Sequence, residues 1–370
     1  MDAPPRSLIE HFSSINDPRV ERSRRHKLID IVVIGVIGAL CGAESWEDIQ
    51  MIAEEKESWL RQFLELPNGI PSHDTISRVF ARFSATEFER SFSDWMKDTA
   101  QLTDGEVIAI DGKRLRRSFD RSSDKAAIHM VSAWATANGA VLGQVKVDDK
   151  SNEITAIPKL LTVLEIKGCI VTIDAMGCQK DIASQIIDKG ADYLFGLKGN
   201  QSGTLGAVEM HFDTTKSELE SVTTTDADHG RVETRQYQVV EASVIPELAE
   251  WPGCRSAAMV TSTREVGDQK STESRYYISS LPPVAETIAK GIRGHWGIEN
   301  SLHWVLDVEF DEDRSRVRKG ESPENLAIVR HVAINLLKRE TSLKRASTGR
   351  KRLKCAMSNN YLRKVLFGAD

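Results

Sequence analysis

Two apolar segments that each lead into an aspartate decide the fold: Val107-Ile108-Ala109-Ile110-Asp111-Gly112-Lys113 and Val171-Thr172-Ile173-Asp174-Ala175-Met176-Gly177. Both predict a short strand that stops at its carboxylate and is followed by a turn. An acid that closes an apolar strand is costly to desolvate unless it has a partner. These two positions are therefore the first candidates for chemistry.

The surrounding pattern predicts a sheet in which the two aspartates are neighbours. Strands are expected at 126–136, 140–147 and 193–197, helices at 154–164 and 179–189, and a hairpin turn at Asn138-Gly139. The order of three strands, helix, strand, helix, strand makes the fourth and fifth strands parallel to the first. Asp111 and Asp174 are then expected at adjacent strand ends, where open α/β sheets hold their ligands.

Outside this unit the sequence pattern changes. Residues 1–102 carry apolar residues at helical spacing and no strand pattern, which predicts an N-terminal all-α domain. Residues 103–370 are expected to form an α/β domain. Its segment at about 215–283 is rich in strand signals and predicts an all-β insertion, and the segment at about 321–370 predicts a basic helical C-terminus.

The charge of the 370-residue chain is −5, which excludes a uniformly basic nucleic-acid binder. The charge is unevenly spread, however. Ten basic residues and one acid, Glu340, lie between Lys338 and Lys364, and a second basic cluster follows Asp111. Such asymmetry suits a polyanionic partner, although a solubilising tail and a solvated loop are alternative interpretations.

The five cysteines form no CxxC pair, which is typical of a reduced, cytoplasmic protein without a disulfide framework or zinc ribbon. The longest apolar run, Ile31 to Cys41, is shorter than the roughly 20 residues of a membrane span. We therefore expect a buried helix there, no membrane association, and a cytoplasmic location.

The acids fit phosphodiester chemistry, which needs an activated water and a neutralised leaving oxygen. Two divalent ions about 3.5–4 Å apart can supply both, and Mg²⁺ prefers carboxylate and water ligands. Taken alone, Asp111 would be a turn former and Asp174 a helix cap. The prediction of a metal site rests on both acids closing strands of one sheet.

A third acid is expected from Glu299 in His295-Trp296-Gly297-Ile298-Glu299-Asn300, on a predicted helix at 284–305. His295, Glu299 and His303 share a stripe at i, i+4 and i+8. The alternatives are a solvent-facing Glu299 paired with a histidine, a zinc site on the two histidines, which HExxH spacing does not support, and Glu233 as the third acid. Arg231 and Arg235 share a strand face with Glu233, which favours a structural ion pair.

These strings, taken together, resemble DDE-type transposases of bacterial insertion sequences, in particular the H-repeat-associated, Rhs-element-linked group. The resemblance spans almost the whole chain. It is carried by Arg25-His26-Lys27-Leu28, Cys41-Gly42-Ala43-Glu44-Ser45-Trp46, Ile110-Asp111-Gly112-Lys113, Asp174-Ala175-Met176-Gly177-Cys178-Gln179, Leu197-Lys198-Gly199-Asn200-Gln201, His229-Gly230-Arg231, the Glu299 string, and Leu302-His303-Trp304-Val305-Leu306-Asp307-Val308.

The resemblance implies a ribonuclease-H-like catalytic core with Asp111, Asp174 and Glu299 as its acidic triad and metal ligands. It also implies two Mg²⁺ or Mn²⁺ ions, DNA at the element ends and at the target, and a homodimer on DNA. One departure stands out. Many such transposases carry Tyr-x-x-Arg-x-x-x-Glu-x₆-Lys around the last acid, where this chain has Ile292, His295, Glu299 and Leu306.

Basic residues near these strings are candidates for DNA contact. Lys198 follows the fifth strand on the side of the acids and is placed to meet a phosphate, although a solvated lysine is an equal alternative. The other candidates are Lys113, Arg114, Arg116, Arg117, Arg231, His295 and His303. Trp296 and Trp304, at i and i+8, favour core packing over base stacking.

The function expected is a transposase, a metal-dependent polynucleotidyl transferase and endonuclease that cuts element ends and joins them to target DNA. A nuclease of the same fold that does not rejoin DNA, and a catalytically silent DNA-binding relic, are alternatives. A small-molecule enzyme is a more distant one, because the chain has neither GxGxxG nor GxxxxGK[ST].

Overall fold

A computed structural model describes residues 7–119, 126–148, 151–215, 219–228 and 231–368, the side chain of residue 228 excepted. It shows a mixed α/β protein with a helical N-terminal region. The N-terminal helices are α1 (Leu8–Phe12), α2 (Leu28–Cys41), α3 (Trp46–Glu55), α4 (Glu57–Leu60), α5 (His73–Phe80) and α6 (Ala85–Thr99).

The middle of the chain alternates strands and helices. Its elements are β1 (Val107–Arg114), β2 (His129–Ala135), β3 (Ala140–Lys146), α7 (Glu153–Val163), β4 (Ile170–Ile173), α8 (Lys180–Asp188), β5 (Asp192–Leu197) and α9 (Ser202–Thr214). The strands β6 (Glu220–Asp228), β7 (Arg231–Glu241), β8 (Ser256–Val266) and β9 (Gln269–Ser279) follow, and the C-terminal helices are α10 (Ala285–Ile298), α11 (Trp304–Val308), α12 (Ser322–Arg339), α13 (Thr348–Met357) and α14 (Asn359–Phe367).

The described strands form one mixed sheet of nine strands in the order β3-β2-β1-β4-β5-β9-β8-β7-β6. As the sequence order predicts, β4 runs parallel to both β1 and β5, and β2 runs antiparallel to β1. The parallel register pairs Ile110 with Ile173. Asp111 and Asp174 are therefore the next residues on two adjacent strands.

Strand β1 is longer than its sequence pattern predicts, and the expected turn after Asp111 is wrong. The strand continues to Arg114 because β2 supplies a partner beyond the point where β4 stops, with Asp111 opposite Ser132 and Arg114 opposite His129. Asp111 thus ends the parallel pairing with β4 without ending its own strand.

The strand-rich segment from β6 to β9 extends the same sheet and does not form a second one. Strand β9 pairs antiparallel with β5, with Leu194 opposite Ser279 and Leu197 opposite Tyr276. This pairing satisfies the backbone groups that β5 would otherwise expose at a sheet edge. Two 3₁₀ helices, Ala242–Val244 and Pro246–Glu250, lie between β7 and β8, so the segment is not purely β.

Helix α2 is the centre of the helical region, because every residue from Ile31 to Cys41 is buried. Close packing depends on its two interior glycines. A Cβ on Gly35 would lie 2.8 Å from the ring of Phe80, and one on Gly38 would lie 2.6 Å from Ile49. In the described part of the chain, no single helix is long and apolar enough to span a membrane; α2 and α3 meet that test only jointly, across a 95° bend.

Helix α12 joins the helical region to the sheet through the buried amide of Asn335. Its Oδ1 accepts a hydrogen bond from the backbone N–H of Val141 at 2.9 Å, and its Nδ2 donates to the carbonyl of Val141 at 2.8 Å. The amide therefore satisfies both backbone groups of one residue of β3, the edge strand of the sheet. Asn325, near the start of α12, donates hydrogen bonds to the carbonyl of Phe80, the last residue of α5, and to the carbonyl of Phe83 just after it.

We expect Asn335→Leu to lower the free energy of unfolding by about 2–5 kcal/mol, since it leaves one buried donor and one buried acceptor of Val141 without a partner. Urea titration followed by circular dichroism measures this change. Asn360→Leu, at an exposed position of α14, is the matched control and should change the midpoint little. Equal midpoints for the two variants would show that the Asn335 amide does not stabilise the sheet edge.

Candidate active site

An open cleft of about 670 Å³ lies where β1, β4 and β5 end. The three acids predicted from the sequence line it together, although they come from distant parts of the chain. The lining includes Asp111, Asp174, Lys198, Arg275, His295, Trp296 and Glu299. The sheet edge and α10 thus bring the predicted residues to one place.

Asp174 has two roles in this geometry. It follows the last residue of β4, and its Oδ1 accepts a hydrogen bond from the backbone N–H of Met176 at 3.0 Å, which caps the 3₁₀ turn Ala175–Gly177. The same carboxylate lines the cleft beside Asp111. Its capping role and its place in the cleft are therefore compatible.

Glu299 is held close to Asp111 by an irregularity in its helix. Residues Glu299–His303 form a π-helical turn between α10 and α11, a feature that is frequent at functional sites. Within this turn the Nδ1 of His303 lies 3.0 Å from Glu299 Oε2 and 3.7 Å from Asp111 Oδ2. One ligand atom from each of the three residues lies within 4.8 Å of the other two.

His303 belongs to this group, and its pair with Glu299 is the one that the shared helical stripe allowed as an alternative. Its side chain, named from the sequence as a candidate DNA contact, is 6% exposed and lies against the carboxylates of Glu299 and Asp111. His295 does not join the group. Its Nδ1 lies 3.0 Å from the hydroxyl of Thr172 on β4, and this contact holds α10 against the sheet.

A fourth acid near the site, Glu153, is absent from the sequence prediction. Its carboxylate pairs with the Nε2 of His129 at 2.8 Å, directly above β1. A Cβ on Gly112 would overlap both of these groups. The glycine within β1 therefore marks a close approach, a meaning that glycines inside strands often have.

The carboxylates of the cleft lie close together in a partly buried, negatively charged environment, which raises the pKa of Asp111. Burial, together with the neighbouring Glu153, Asp174 and Glu299, raises the pKa of Asp111 to about 7. Burial lowers the pKa of His303, against the opposing effect of Glu299. Among the described residues, no lysine or arginine forms an ion pair with Asp111, Asp174 or Glu299.

These residues fit a divalent cation. Crowded carboxylates with a raised pKa are stabilised in their charged form by a nearby positive ion. Carboxylate oxygens are the ligands that Mg²⁺ and Mn²⁺ take, and an imidazole nitrogen suits the softer transition metals better. Asp111, Glu299 and His303 offer the compact donor set, and Asp174 offers a carboxylate on the adjoining strand.

Glu233, the competing third acid, lies elsewhere. It is on β7, where its carboxylate pairs with Arg235 at 2.5 Å and with Arg231 at 3.6 Å. The expected structural ion pair is confirmed. The preceding residues His229 and Gly230, which belong to the motif, lie outside the described residues.

Some of the residues proposed for DNA contact form ion pairs within the protein, and several have exposed side chains. Lys113 is 12% exposed and its ammonium pairs with Asp307 at 2.6 Å, and Arg116 pairs with Asp313 at 3.3 Å while staying 75% exposed. The first pair ties β1 to α11. Exposed side chains belong to Arg114, Arg117, Lys198 and Arg231.

The prediction that Trp296 and Trp304 pack in the core is wrong. Their exposed fractions are 43% and 53%. Leu302, Val305 and Leu306 bury the inner face of this helical stretch, so the tryptophans face outward. The guanidinium of Arg275 lies 5.6 Å from the Trp296 ring, at the rim of the cleft.

Comparison with known proteins settles the family. Residues 102–336 match the family described as "Transposase DDE domain", and residues 9–96 match the one described as "DDE_Tnp_1-associated". The chain belongs to the DDE transposase family. Proteins of this family act on DNA and depend on divalent metal ions, and membership implies a nuclease or transposase activity.

Relatives with full-length similarity are found in Escherichia coli. The protein "Putative transposase YncI" of strain O157:H7 is 45% identical, with 97% of this chain and 94% of the relative covered. "H repeat-associated putative transposase YhhI" of strain K12 is 43% identical, with 98% of both chains covered. The resemblance to the H-repeat-associated group is thereby confirmed.

Among solved structures, the piggyBac transposase synaptic complex with hairpin DNA is similar to this chain with a TM-score of 0.45 and 10% identity. The similarity covers 97% of this chain and 77% of that one.

In this member of the DDE transposase family, two of the places that often carry tyrosine and lysine around the last acid are apolar core positions. Ile292 is 5% exposed and Leu306 is 2% exposed. Ile292 lines the cleft with an apolar side chain and Leu306 does not line it, so neither position offers a polar group to DNA. The nearby Arg293 pairs with Asp226 at 3.1 Å.

We expect the metal-free protein to lose stability as the pH rises from about 4 to about 7. The folded-state pKa of Asp111, about 7, lies above the ordinary aspartate value of 3.8. The unfolded chain therefore releases this proton first, and the free energy of unfolding falls between the two values. Thermal unfolding of the wild type and of Asp111→Asn in EDTA measures the effect.

Above pH 7 the Asp111→Asn protein should be more stable than the wild type in EDTA. Added Mg²⁺ or Mn²⁺ should raise the unfolding temperature of the wild type and leave that of Asp111→Asn nearly unchanged. If the two proteins unfold alike across the pH range with and without metal, Asp111 does not sit in a charge-crowded metal site.

Proposed function

We propose that this protein cleaves DNA at the ends of an insertion sequence and transfers the freed ends into target DNA, with Asp111, Asp174 and Glu299 as the catalytic acids and two Mg²⁺ or Mn²⁺ ions as cofactors. The observation that carries the proposal is the meeting of Asp111 and Glu299. Their ligand atoms, together with His303, lie within 4.8 Å of one another although they belong to a strand and a distant helix.

Each residue has a role that follows from its position. Asp111 has Asp174 on the neighbouring strand and Glu299 on the helix as neighbours, and these three carboxylates would hold the ions. The Nδ1 of His303, 3.0 Å from Glu299 Oε2, fixes the orientation of that carboxylate.

Divalent ions bound there would activate the attacking oxygen, first of water and then of the freed 3′-hydroxyl, and would neutralise charge on the leaving oxygen. The protein's own part is positioning. The register between β1 and β4 fixes the two aspartates, and the π-helical turn fixes Glu299. Exposed Lys198, on the rim of the cleft, is placed to contact a phosphate near the scissile bond.

We further propose that β1 to β5 with their helices form a ribonuclease-H-like core, preceded by a helical domain at residues 1–102. The mixed strand order and the two acids at the end of the parallel pairing support this assignment. The strands from β6 to β9 would then be an insertion that extends the core sheet. A homodimer on DNA at the nucleoid is the assembly expected for joining two element ends.

Three substitutions test the acids. We expect Asp111→Asn, Asp174→Asn and Glu299→Gln each to slow Mg²⁺-dependent nicking of flanking element DNA by roughly 10²–10³-fold, because the charge stabilisation that bound ions provide is worth several kcal/mol. Glu233→Gln removes one carboxylate outside the cleft and is the matched control. Full activity in Glu299→Gln, with loss of activity in Glu233→Gln, would reverse the assignment of the third acid.

A strand-transfer assay with precut element ends separates the transposase from a nuclease of the same fold. The proposal requires joined products in Mg²⁺ or Mn²⁺ and none in EDTA. Nicking without joined products would establish the nuclease. Binding of element DNA without metal-dependent nicking would establish a catalytically silent relic.

A further inference from the structure

We infer that a basic cavity among the N-terminal helices is a binding site for the phosphate backbone of duplex DNA, independent of base sequence. The cavity has a volume of about 600 Å³ and is far in sequence from the catalytic acids. Arginines from two separate segments line it: Arg19 and Arg25 from the segment before α2, and Arg78 and Arg82 from α5 and its end. The inference rests on the proposed function and extends it to how DNA is held.

The lining is one-sided in charge. Its members among the described residues include four arginines and no aspartate or glutamate. Arg19 is buried and structural, since it pairs with Asp17 at 2.7 Å and donates to the carbonyl of His26 at 2.8 Å. The other three arginines are exposed. Among the described residues, none of these three forms an ion pair, although the Nε of Arg78 donates to the carbonyl of Asp74.

Hydroxyl and amide groups also line the cavity, at Ser23, Asn68, Ser72 and Thr75. The Ser23 hydroxyl donates to the carbonyl of Val20 and the Asn68 amide donates to the carbonyl of Arg25, so the exposed guanidinium groups are the main donors of the cavity. Arginine is a usual donor to DNA phosphates. Fixed positive charge recognises a polyanion and carries no base information.

The catalytic cleft itself cannot supply this attraction. Its lining contains five acids, Asp111, Asp174, Glu209, Glu273 and Glu299, against two basic residues, Lys198 and Arg275. Bound cations would compensate this charge only at the reacting phosphate. Affinity for the rest of the duplex must come from positive surface elsewhere, because phosphate neutralisation supplies most of the non-specific affinity of DNA-binding proteins.

Hydrogen bonds link the segment after β1, beside the acids, to the end of α5 at the cavity; we call the exposed basic residues on these linked segments the basic strip. The residues after β1 contact the segment before α12, where the Nε of Arg318 donates to the carbonyl of Arg117 at 2.9 Å. That segment in turn contacts the end of α5, where the backbone N–H of Glu321 donates to the carbonyl of Ala81 at 3.2 Å. Arg82 is the next residue. Exposed Arg114, Arg117, Arg316 and Lys319 lie along this strip.

The exposed basic residues outside the cavity favour duplex DNA over a small anion. A free phosphate would use the cavity alone. A duplex presents one negative charge for about every 1.7 Å of its axis, so it can engage the cavity and the strip together. The cavity would then hold DNA that leaves the catalytic cleft along the basic side of the molecule.

The test measures binding of a random-sequence DNA duplex by fluorescence anisotropy in EDTA, with salt varied between about 50 and 200 mM. All proteins carry Asp111→Asn, so that no DNA is cut. Arg82→Gln should weaken binding and make the negative slope of log K against log salt shallower by about 0.9. The combined variant Arg25→Gln, Arg78→Gln and Arg82→Gln should make it shallower by about 2.7.

Two matched variants make the result specific. Arg90→Gln removes an exposed arginine of α6 that does not line the cavity, and it should leave the slope unchanged. Arg82→Lys keeps the charge and should keep most of the slope. Circular dichroism melts report folding, and Arg82→Gln alone carries the test if the triple variant is unfolded.

The inference is overturned if the Asp111→Asn parent does not bind the duplex, if Arg82→Gln keeps the parent slope, or if Arg90→Gln lowers it equally. It is also overturned if inorganic phosphate binds and the duplex does not. Failure of the proposed function would look different, since it would leave this metal-free binding intact and abolish metal-dependent cleavage in the wild type.

Discussion

Burial of the Asp111 carboxylate among other carboxylates is the constraint on which the candidate active-site cleft depends. Asp111 is largely buried and has Glu153, Asp174 and Glu299 as neighbours. No lysine or arginine among the described residues forms an ion pair with it. Left alone, such a group would stay protonated or the site would open. Strand pairing holds Asp111 beside Asp174, and the helical stretch that carries Glu299 packs Ile298 and Leu302 into the core. A rigid, charge-crowded site of this kind is suited to hard cations.

The sequence predicted the parts of this site that follow from strand order. Apolar runs closed by Asp111 and Asp174, with helices between them, required parallel neighbouring strands, and the register of Ile110 with Ile173 confirms this. The length of β1 was not predictable in the same way. It depends on pairing with β2, a tertiary contact that the Asp-Gly turn signal does not report. Glu153 was missed for a similar reason, since only the fold places it over Gly112.

The helix that carries Glu299 shows where periodicity stops being informative. A regular helix predicted the shared stripe of His295, Glu299 and His303, but a π-helical turn shifts the residues after Glu299. Even so, the i, i+4 contact between Glu299 and His303 that the stripe predicts is present, at 3.0 Å. The packing of Trp296 and Trp304 was predicted wrongly because their i, i+8 spacing does not report which helix face packs against the core.

Charge is separated across the molecule in a way that the total of −5 conceals. The cleft is acidic, and its positive complement lies outside it. Some basic residues are structural: Arg352 donates to the carbonyl of Ala39 at 2.9 Å and stacks on Phe310, and Lys351 donates to the carbonyl of Leu337 at 2.7 Å. The exposed arginines that remain are therefore better indicators of a polyanion surface than the basic count of the C-terminus.

The central claim is most directly tested by a crystal structure of the protein soaked in Mn²⁺, with the ions located by anomalous scattering. The account predicts two Mn²⁺ ions about 3.5–4 Å apart that share the Asp111 carboxylate, with Asp174 and Glu299 on opposite sides. Full Mn²⁺ occupancy elsewhere, with none at Asp111, would contradict it.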